Sequence, residues 1–140
     1  TAFDSLRFIR FVREQQQQNE SLNTSVWFRG VLCGMIGFHR FDWLNRSTSI
    51  GYWLSEDFQG KGIMTRSCKA LVDFAFSQQK FNRIEIRCAT GNTKSRAIPE
   101  RLGFRQEGMI REGEWLYNHF VDLIVYGMLA HEWNSVPRAT

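Results

Sequence analysis

The feature that most constrains the fold is a glycine-rich turn at residues 59–64, Gln-Gly-Lys-Gly-Ile-Met, which joins an apolar strand to a long amphipathic helix. Its two glycines allow the backbone to approach a ligand closely. The free N–H groups and the dipole of the helix start favour an anion there, typically phosphate. The turn therefore predicts a binding site for a pyrophosphate.

The segments on either side of this turn predict a strand, a helix and a second strand. Apolar and small residues alternate over 47–55, and apolar residues recur from Ile63 at the i, i+4, i+7, i+8 spacing of one helix face. Alternation over 83–89 indicates the next strand. Because a strand, helix and strand form a right-handed crossover, we expect residues 49–55 and 84–89 to be parallel neighbours.

The chain before this unit predicts a helix and a hairpin. Apolar residues at helical spacing predict an amphipathic helix over 4–18, which Thr1 and Asp4 could cap. Residues 25–29 and 31–41 are rich in strand-forming residues and predict a hairpin, with Gly34 and Gly37 marking a bulge or close packing.

The chain after this unit predicts a short helix and a second hairpin. Residues 92–103 predict a helix capped by Asn92 and closed by Gly103. The segments 104–115 and 119–133 predict two strands that turn near Tyr117 and Asn118.

Composition limits the class of protein. A chain of 140 residues with 43% apolar and 14% aromatic residues predicts one folded domain. No apolar run reaches the roughly 18 residues of a membrane span, no charged-then-apolar leader precedes the first element, and three cysteines do not make a disulfide framework. We therefore expect a cytoplasmic protein without a membrane partner. Its net charge of +4 suits a phosphorylated cofactor, an acidic protein or RNA.

The turn does not match two familiar phosphate-binding loops, because Ile63 and Met64 follow Gly62 where G-x-x-x-x-G-K-[ST] or G-x-G-x-x-G needs other residues. It reads instead as Q-x-x-G-x-M and resembles the [QR]-x-x-G-x-[GA] signature for acetyl-CoA of the GNAT family of N-acetyltransferases. Two later segments agree in order: Asn92-x-x-Ser95, and the E-R-L-G-F run at 100–104, which resembles the E-K-x-G-F segment of that family. The version with Met64 is similar to the branch that acetylates the N-termini of ribosomal proteins.

The resemblance implies the acyl-CoA N-acyltransferase fold. This is an α/β fold with a mixed, mostly antiparallel twisted sheet, a central pair of splayed parallel strands and flanking helices. The family normally begins with a strand and a helix that we do not find in this sequence. The expectation is therefore a single N-acetyltransferase domain over residues 1–140 that is truncated at its N-terminus.

The resemblance also implies how acetyl-CoA, the co-substrate, would be held. Backbone N–H groups of the turn would bind its pyrophosphate, and these come from Gln59, Gly60, Lys61, Gly62, Ile63 and Met64. The backbone of Trp53 and Leu54 would pair with its pantetheine amides, and Asn92 would fix it from the other side. In this branch Ser95 fills the place of the proton donor to the leaving thiolate, with Tyr126 in reserve.

A purely structural reading of these residues stays open, because Asn92 and Ser95 are also common helix caps. Pro99 bears on this choice, since a proline four residues after Ser95 cannot donate to the Ser95 carbonyl. We predict that the turn freed in this way lies against the cofactor. The cysteines, particularly Cys68 and Cys88, are interpreted as buried small apolar residues rather than nucleophiles, and no metal-binding spacing occurs.

The acceptor implied by the resemblance is the α-amine of a protein N-terminus. Such an amine has a pKa of about 8, against about 10.4 for lysine, so a modest base suffices. Glu114 is the candidate base. The alternative is that Glu114 and Glu112 only form a solvent-exposed acidic turn. A second enzyme reading is acetylation of a small amine such as a polyamine or an aminoglycoside. An alternative that is not an enzyme is a non-catalytic module that binds acyl-CoA or RNA. The basic residues are scattered along the sequence, which argues against RNA binding.

The aromatic residues Trp115, Phe120 and Trp133 fit either a homodimer interface or the core of the protein. The sequence leaves this choice open.

Overall fold

The computed structural model describes residues 6–13 and 21–135, with side chains described from Leu22 onward. Seven strands and three helices follow one another in these residues. The strands are β1 Leu6–Arg13, β2 Ser21–Phe28, β3 Val31–Asp42, β4 Ser47–Leu54, β5 Arg83–Ala89, β6 Arg105–Leu116 and β7 His119–Leu129. The helices are α1 Ile63–Ser77, α2 Thr93–Arg101 and α3 Ala130–Ser135, and a 3-10 turn covers Glu56–Phe58.

The seven strands form one sheet in the order β1-β2-β3-β4-β5-β7-β6. Every neighbouring pair in it is antiparallel except β4 and β5, which are parallel. The predicted mixed, mostly antiparallel sheet with a central parallel pair is confirmed. The parallel pair arises where α1 returns the chain from the end of β4 to the start of β5, as the crossover pattern predicted.

The parallel pair is short and then opens. Its register runs only from Ser47 opposite Arg83 to Ile50 opposite Ile86. Beyond these residues, 51–54 of β4 pair with β3 alone, and 87–89 of β5 pair with β7 alone. The facing edges of β4 and β5 are thus left without strand partners at their carboxyl ends, which is the predicted splay.

The core lies between the sheet and α1. The helix buries one stripe of apolar residues against it, namely Ile63, Met64, Cys68, Leu71, Val72, Ala75 and Phe76. Strand residues such as Phe38, Ile84 and Ile86 face this stripe and are almost fully buried. The three cysteines are free and buried, as expected. Within the described residues, no helix has both the length and the apolar character that crossing a bilayer requires.

The prediction of a helix over 4–18 is wrong. Residues 6–13 form β1 and pair with β2, from Leu6 opposite Phe28 to Arg13 opposite Leu22. The register shifts between Phe8 and Phe11. Such an irregularity breaks the period of two, so the apolar residues of a strand fall at spacings that resemble a helix. The proposed cap by Thr1 and Asp4 lies outside the described residues.

The last predicted strand is too long. β7 ends at Leu129, and 130–135 form α3 instead. The Glu132 side chain accepts a hydrogen bond from the Leu129 N–H at 3.1 Å. The buried Trp133 indole then donates to the Asp73 carboxylate of α1 at 2.7 Å. These bonds turn the chain off the sheet and attach it to α1. Trp133 is therefore a core residue, whereas Trp115 and Phe120 are exposed.

The glycines of β3 confirm the predicted close packing and bulge. The β2–β3 register shifts between Val26 and Trp27, beside Gly34. At Gly37 an added Cβ would lie 2.5 Å from the Leu22 carbonyl oxygen and 2.8 Å from the Asn23 Cα. Both of these atoms belong to backbone and cannot move aside independently.

We expect Gly37→Ala to lower the free energy of unfolding by about 1–3 kcal/mol, because the new methyl group overlaps the β2 backbone. Gly108→Ala is the matched control, since a Cβ there meets no atom within 4 Å. Its effect should stay within about 0.5 kcal/mol. Chemical denaturation followed by tryptophan fluorescence measures both values, and equal stability of the two variants would contradict the prediction.

Candidate functional site

A cleft of about 520 Å³ opens where β4 and β5 separate. Its walls come from the carboxyl end of β4, the turn before α1, the first turn of α1, one side of α2 from its start to its end, and the tip of the β6–β7 hairpin. The lining residues are Tyr52, Trp53, Leu54, Gln59, Gly60, Gly62, Ile63, Met64, Thr65, Asn92, Lys94, Ser95, Ala97, Ile98, Arg101 and Tyr117. A cleft at the carboxyl ends of parallel strands is the usual ligand position in α/β proteins.

The turn before α1 presents unpaired backbone donors to this cleft. Gly60 and Gly62 have φ angles of 79° and 75°, in the left-handed region that favours glycine. The backbone bond from Arg66 N–H to the Gly62 carbonyl, 3.1 Å long, is the first at the start of α1. The N–H groups of Ile63, Met64 and Thr65 therefore have no partner within the helix and act with its dipole on an anion.

The side chain of Gln59 connects both walls of the cleft. Its Nε2 donates to the Leu54 carbonyl oxygen at 3.1 Å, and its Oε1 accepts from Lys94 Nζ at 3.3 Å. The glutamine of the signature thus fixes the turn against the end of β4 and against the start of α2. Lys61, predicted as a binding residue, is not among the described lining residues; its carbonyl accepts from Arg66 Nη2 at 3.2 Å.

Ser95 lies in the first turn of α2 and forms three hydrogen bonds. Its N–H donates to Asn92 Oδ1 at 3.0 Å, so Asn92 is the predicted helix cap. Its hydroxyl donates to Cys88 Sγ at 3.5 Å. Its carbonyl accepts from the Tyr52 hydroxyl at 2.8 Å. Asn92 and Ser95 therefore form the helix cap and also line the cleft.

The tyrosine and cysteine beside Ser95 keep their protons. Burial raises the pKa of Tyr52 well above its ordinary value. Burial also raises the pKa of the Cys88 thiol, although its hydrogen bonds with Ser95 and Tyr52 oppose this shift. The cluster of Tyr52, Cys88 and Ser95 is thus an uncharged set of hydroxyl and thiol groups at neutral pH.

Two other candidates lie away from the cleft. Tyr126, the reserve proton donor, is buried; its hydroxyl donates to Glu100 Oε2 at 2.6 Å and accepts from Arg96 Nε at 3.0 Å. Glu114 is exposed on β6 opposite Val121 and is not among the described lining residues. Tyr117, at the tip of the same hairpin, does reach the cleft.

The sequence analysis does not anticipate seven of the lining residues, namely Tyr52, Thr65, Lys94, Ala97, Ile98, Arg101 and Tyr117. The alternation of Tyr52 with its neighbours predicts only an apolar position on a strand. A signal for it was nevertheless present, because the Ser95 carbonyl that Pro99 leaves free requires a donor from another element. Lys94 and Arg101 carry no pattern that separates them from solvated helix residues.

The donors in this cleft fit coenzyme A. The amides at the start of α1 suit a pyrophosphate, and Lys94 and Arg101 add positive charge. The strand edges left open between β4 and β5 offer backbone groups to a ligand that carries amides, as pantetheine does. Among the described lining residues there is no carboxylate to repel the phosphates.

Comparisons with known proteins agree with this geometry. The family described as the acetyltransferase (GNAT) domain matches residues 2–105. YdaF of Bacillus subtilis (strain 168), named as a candidate ribosomal N-acetyltransferase, is 42% identical over 123 residues, which cover 88% of this chain and 67% of YdaF. The ribosomal-protein-serine acetyltransferase of Escherichia coli (strain K12) is 29% identical over 138 residues, which cover 89% of this chain and 77% of that protein.

A solved structure has the same fold. It is RimL, a ribosomal-protein alpha-N-acetyltransferase, in complex with coenzyme A; the TM-score is 0.76 at 29% identity, over 81% of this chain and 64% of RimL. The family match covers most of the chain, and the cleft holds the donors that coenzyme A requires. The chain therefore belongs to the GNAT family of N-acetyltransferases, enzymes that take the acetyl group from acetyl-CoA.

Proposed function

We propose that this single domain transfers the acetyl group of acetyl-CoA to the N-terminal α-amine of a protein, most specifically a ribosomal protein, by direct attack in a ternary complex. The observation that carries the proposal is that Ser95 lines the same cleft as the start of α1, whose free N–H groups favour an anion. The names of YdaF, RimL and the Escherichia coli relative support the choice of acceptor. A ribosomal acceptor would place the reaction in the cytoplasm.

The reaction sets the requirements for the site. The amine nitrogen bonds to the acetyl carbon, the carbon–sulfur bond breaks, the nitrogen loses a proton and the sulfur gains one. Acetyl-CoA supplies the activated thioester. The protein must therefore hold the thioester, stabilise the sulfur as it leaves and accept a proton from the amine.

The thioester is held from both ends of the cleft. The N–H groups of 59–64 bind the pyrophosphate, and the open edge of β4 at Trp53 and Leu54 pairs with the pantetheine amides. Asn92 supports the opposite wall through its cap on α2. Backbone N–H groups of β4 also face the carbonyl oxygen on which charge develops.

Ser95 serves the leaving sulfur. Its hydroxyl donates to the sulfur of the buried Cys88 at 3.5 Å, and this contact supports a role as a donor to sulfur. In the reaction it donates to the sulfur of coenzyme A, and solvent replaces the proton that the sulfur takes. Removing such a donor typically costs 10²–10³ in rate.

The acceptor amine must arrive neutral. A model α-amine with a pKa of about 8 is partly neutral at pH 7, unlike a lysine side chain. Glu114 is the base in this proposal, acting on the amine directly or through water from the β6–β7 hairpin. Lys94 and Arg101 line the cleft, and their charge disfavours a polycationic acceptor such as spermidine.

Ser95→Ala should lower kcat by about 10²-fold while leaving the Kd for acetyl-CoA nearly unchanged, because the hydroxyl acts on the departing sulfur. Thr93→Ala is the matched control, since it removes a hydroxyl from the same helix outside the cleft lining. Steady-state rates and calorimetry with acetyl-CoA measure the two quantities. Full kcat in Ser95→Ala would remove Ser95 from the mechanism.

A panel of acceptors tests the substrate class. We expect peptides that begin with serine or alanine to exceed spermidine and an aminoglycoside by at least about ten-fold in kcat/KM, since an α-amine is about half deprotonated near pH 8, whereas an alkylamine with the pKa of lysine is almost fully protonated. The same peptides with a blocked N-terminus and an internal lysine are the control. Faster transfer to spermidine would favour the small-amine reading, and acetyl-CoA binding without turnover on any acceptor would favour a non-catalytic module.

Glu114→Gln should lower kcat/KM for a peptide by about ten-fold at pH 7, with a smaller loss as the pH rises above 8, because the amine then arrives without its proton. Glu112→Gln, on the same exposed strand, is the control. A pH–rate profile of both variants gives the answer. Identical profiles for the two would assign Glu114 to the solvated turn instead.

A further inference from the structure

The first turn of α2 contains a carbonyl that its own helix cannot satisfy. In a regular helix the N–H of residue i+4 donates to the carbonyl of residue i. Pro99 stands four residues after Ser95 inside α2 and has no N–H. The Ser95 carbonyl therefore needs a donor from outside the helix.

That donor is Tyr52. Its hydroxyl lies 2.8 Å from the Ser95 carbonyl oxygen, and since a carbonyl only accepts, the phenol must donate. Tyr52 stands on β4, on the far side of the splay from the end of β5, which leads into α2. The bond thus spans the opening in the sheet at the place where the two strands have stopped pairing.

The remaining bonds of Ser95 leave its position dependent on this contact. Asn92 fixes only its N–H, and the bond from its hydroxyl to Cys88 Sγ is long at 3.5 Å, with sulfur a weak acceptor. The Tyr52 hydroxyl also lies 3.6 Å from the same sulfur. Tyr52 is therefore the side chain that ties Ser95 to β4.

We infer that Tyr52 is a positioning residue for acetyl transfer: its hydroxyl holds the Ser95 backbone, in place of the helical N–H that Pro99 lacks, so that the Ser95 hydroxyl faces the reacting sulfur. The inference rests on the proposed role of Ser95 as donor. It assigns to Tyr52 an effect on kcat through Ser95, in addition to its place in the wall of the cleft.

The pair of Tyr52 and Pro99 provides a test by rescue. Tyr52→Phe removes the donor and keeps the ring, and we expect kcat to fall about ten-fold with little change in the KM for acetyl-CoA, because a displaced group loses alignment. Pro99→Ala restores an N–H to the helix. In the Pro99→Ala background, Tyr52→Phe should change kcat by no more than about two-fold, since the two donors serve one carbonyl and are not additive.

A second measurement does not depend on activity. Hydrogen exchange of the 92–102 peptide of the free protein should become faster in Tyr52→Phe and return toward the parent rate when Pro99→Ala is added, because the first turn of α2 regains its bond. The same exchange rate in Tyr52→Phe and the parent protein, or an equal loss of kcat in both Pro99 backgrounds, would overturn the inference.

Ser95→Ala separates this inference from the proposed function. If Ser95→Ala keeps full kcat, the donor role of Ser95 fails, and the inference that rests on it fails as well. If Ser95→Ala loses activity and Tyr52→Phe does not, only the inference fails. Support requires that Tyr52→Phe add no further loss in the Ser95→Ala background, since Tyr52 acts through that residue.

Discussion

The structure depends on the short pairing between β4 and β5. Only four residue pairs join these strands, and their facing edges then separate. Because both strands run in the same direction, both carboxyl ends reach the same edge of the sheet, and α1 and α2 both begin there. One local departure from pairing thus creates the cleft, aims two helix starts at it and leaves open the strand edges that an amide-bearing ligand can use.

The walls of the cleft are stabilised by bonds between elements rather than within them. Gln59 joins the end of β4 to Lys94 at the start of α2, and Tyr52 joins β4 to Ser95. Two residues of the family signature segments, Gln59 and Asn92, thereby organise backbone around the ligand position. A residue can mark a binding site in the sequence because it shapes the site, even where its side chain is already paired within the protein.

The parts of the fold that the sequence predicts correctly are those with local causes. The crossover from β4 through α1 to β5, the glycine turn and the Asn92 cap each follow from periodicity or from one residue's backbone preference. The strand β1 was not predicted, because a register shift interrupts its alternation of apolar and polar residues. The helix α3 was not predicted, because it depends on the hydrogen bond from Trp133 to Asp73, which are distant in the sequence. Tyr52 escaped because its partner is a carbonyl exposed by a distant proline.

The place of β7 in the sheet bears on the order in which the chain can fold. The strands β2, β3 and β4 pair with their neighbours in sequence, so their ladders close short loops. β7 instead pairs with β5 across the whole of α2 and β6, from Arg83 opposite Leu129 to Ala89 opposite Leu123. Contacts between residues that are far apart in the sequence form late, because the chain must lose the entropy of closing a long loop before such a contact can stabilise it. On a ribosome the part of the sheet formed by β2, β3 and β4 can assemble early, whereas β5, with Cys88, gains its antiparallel neighbour only after β7 has emerged.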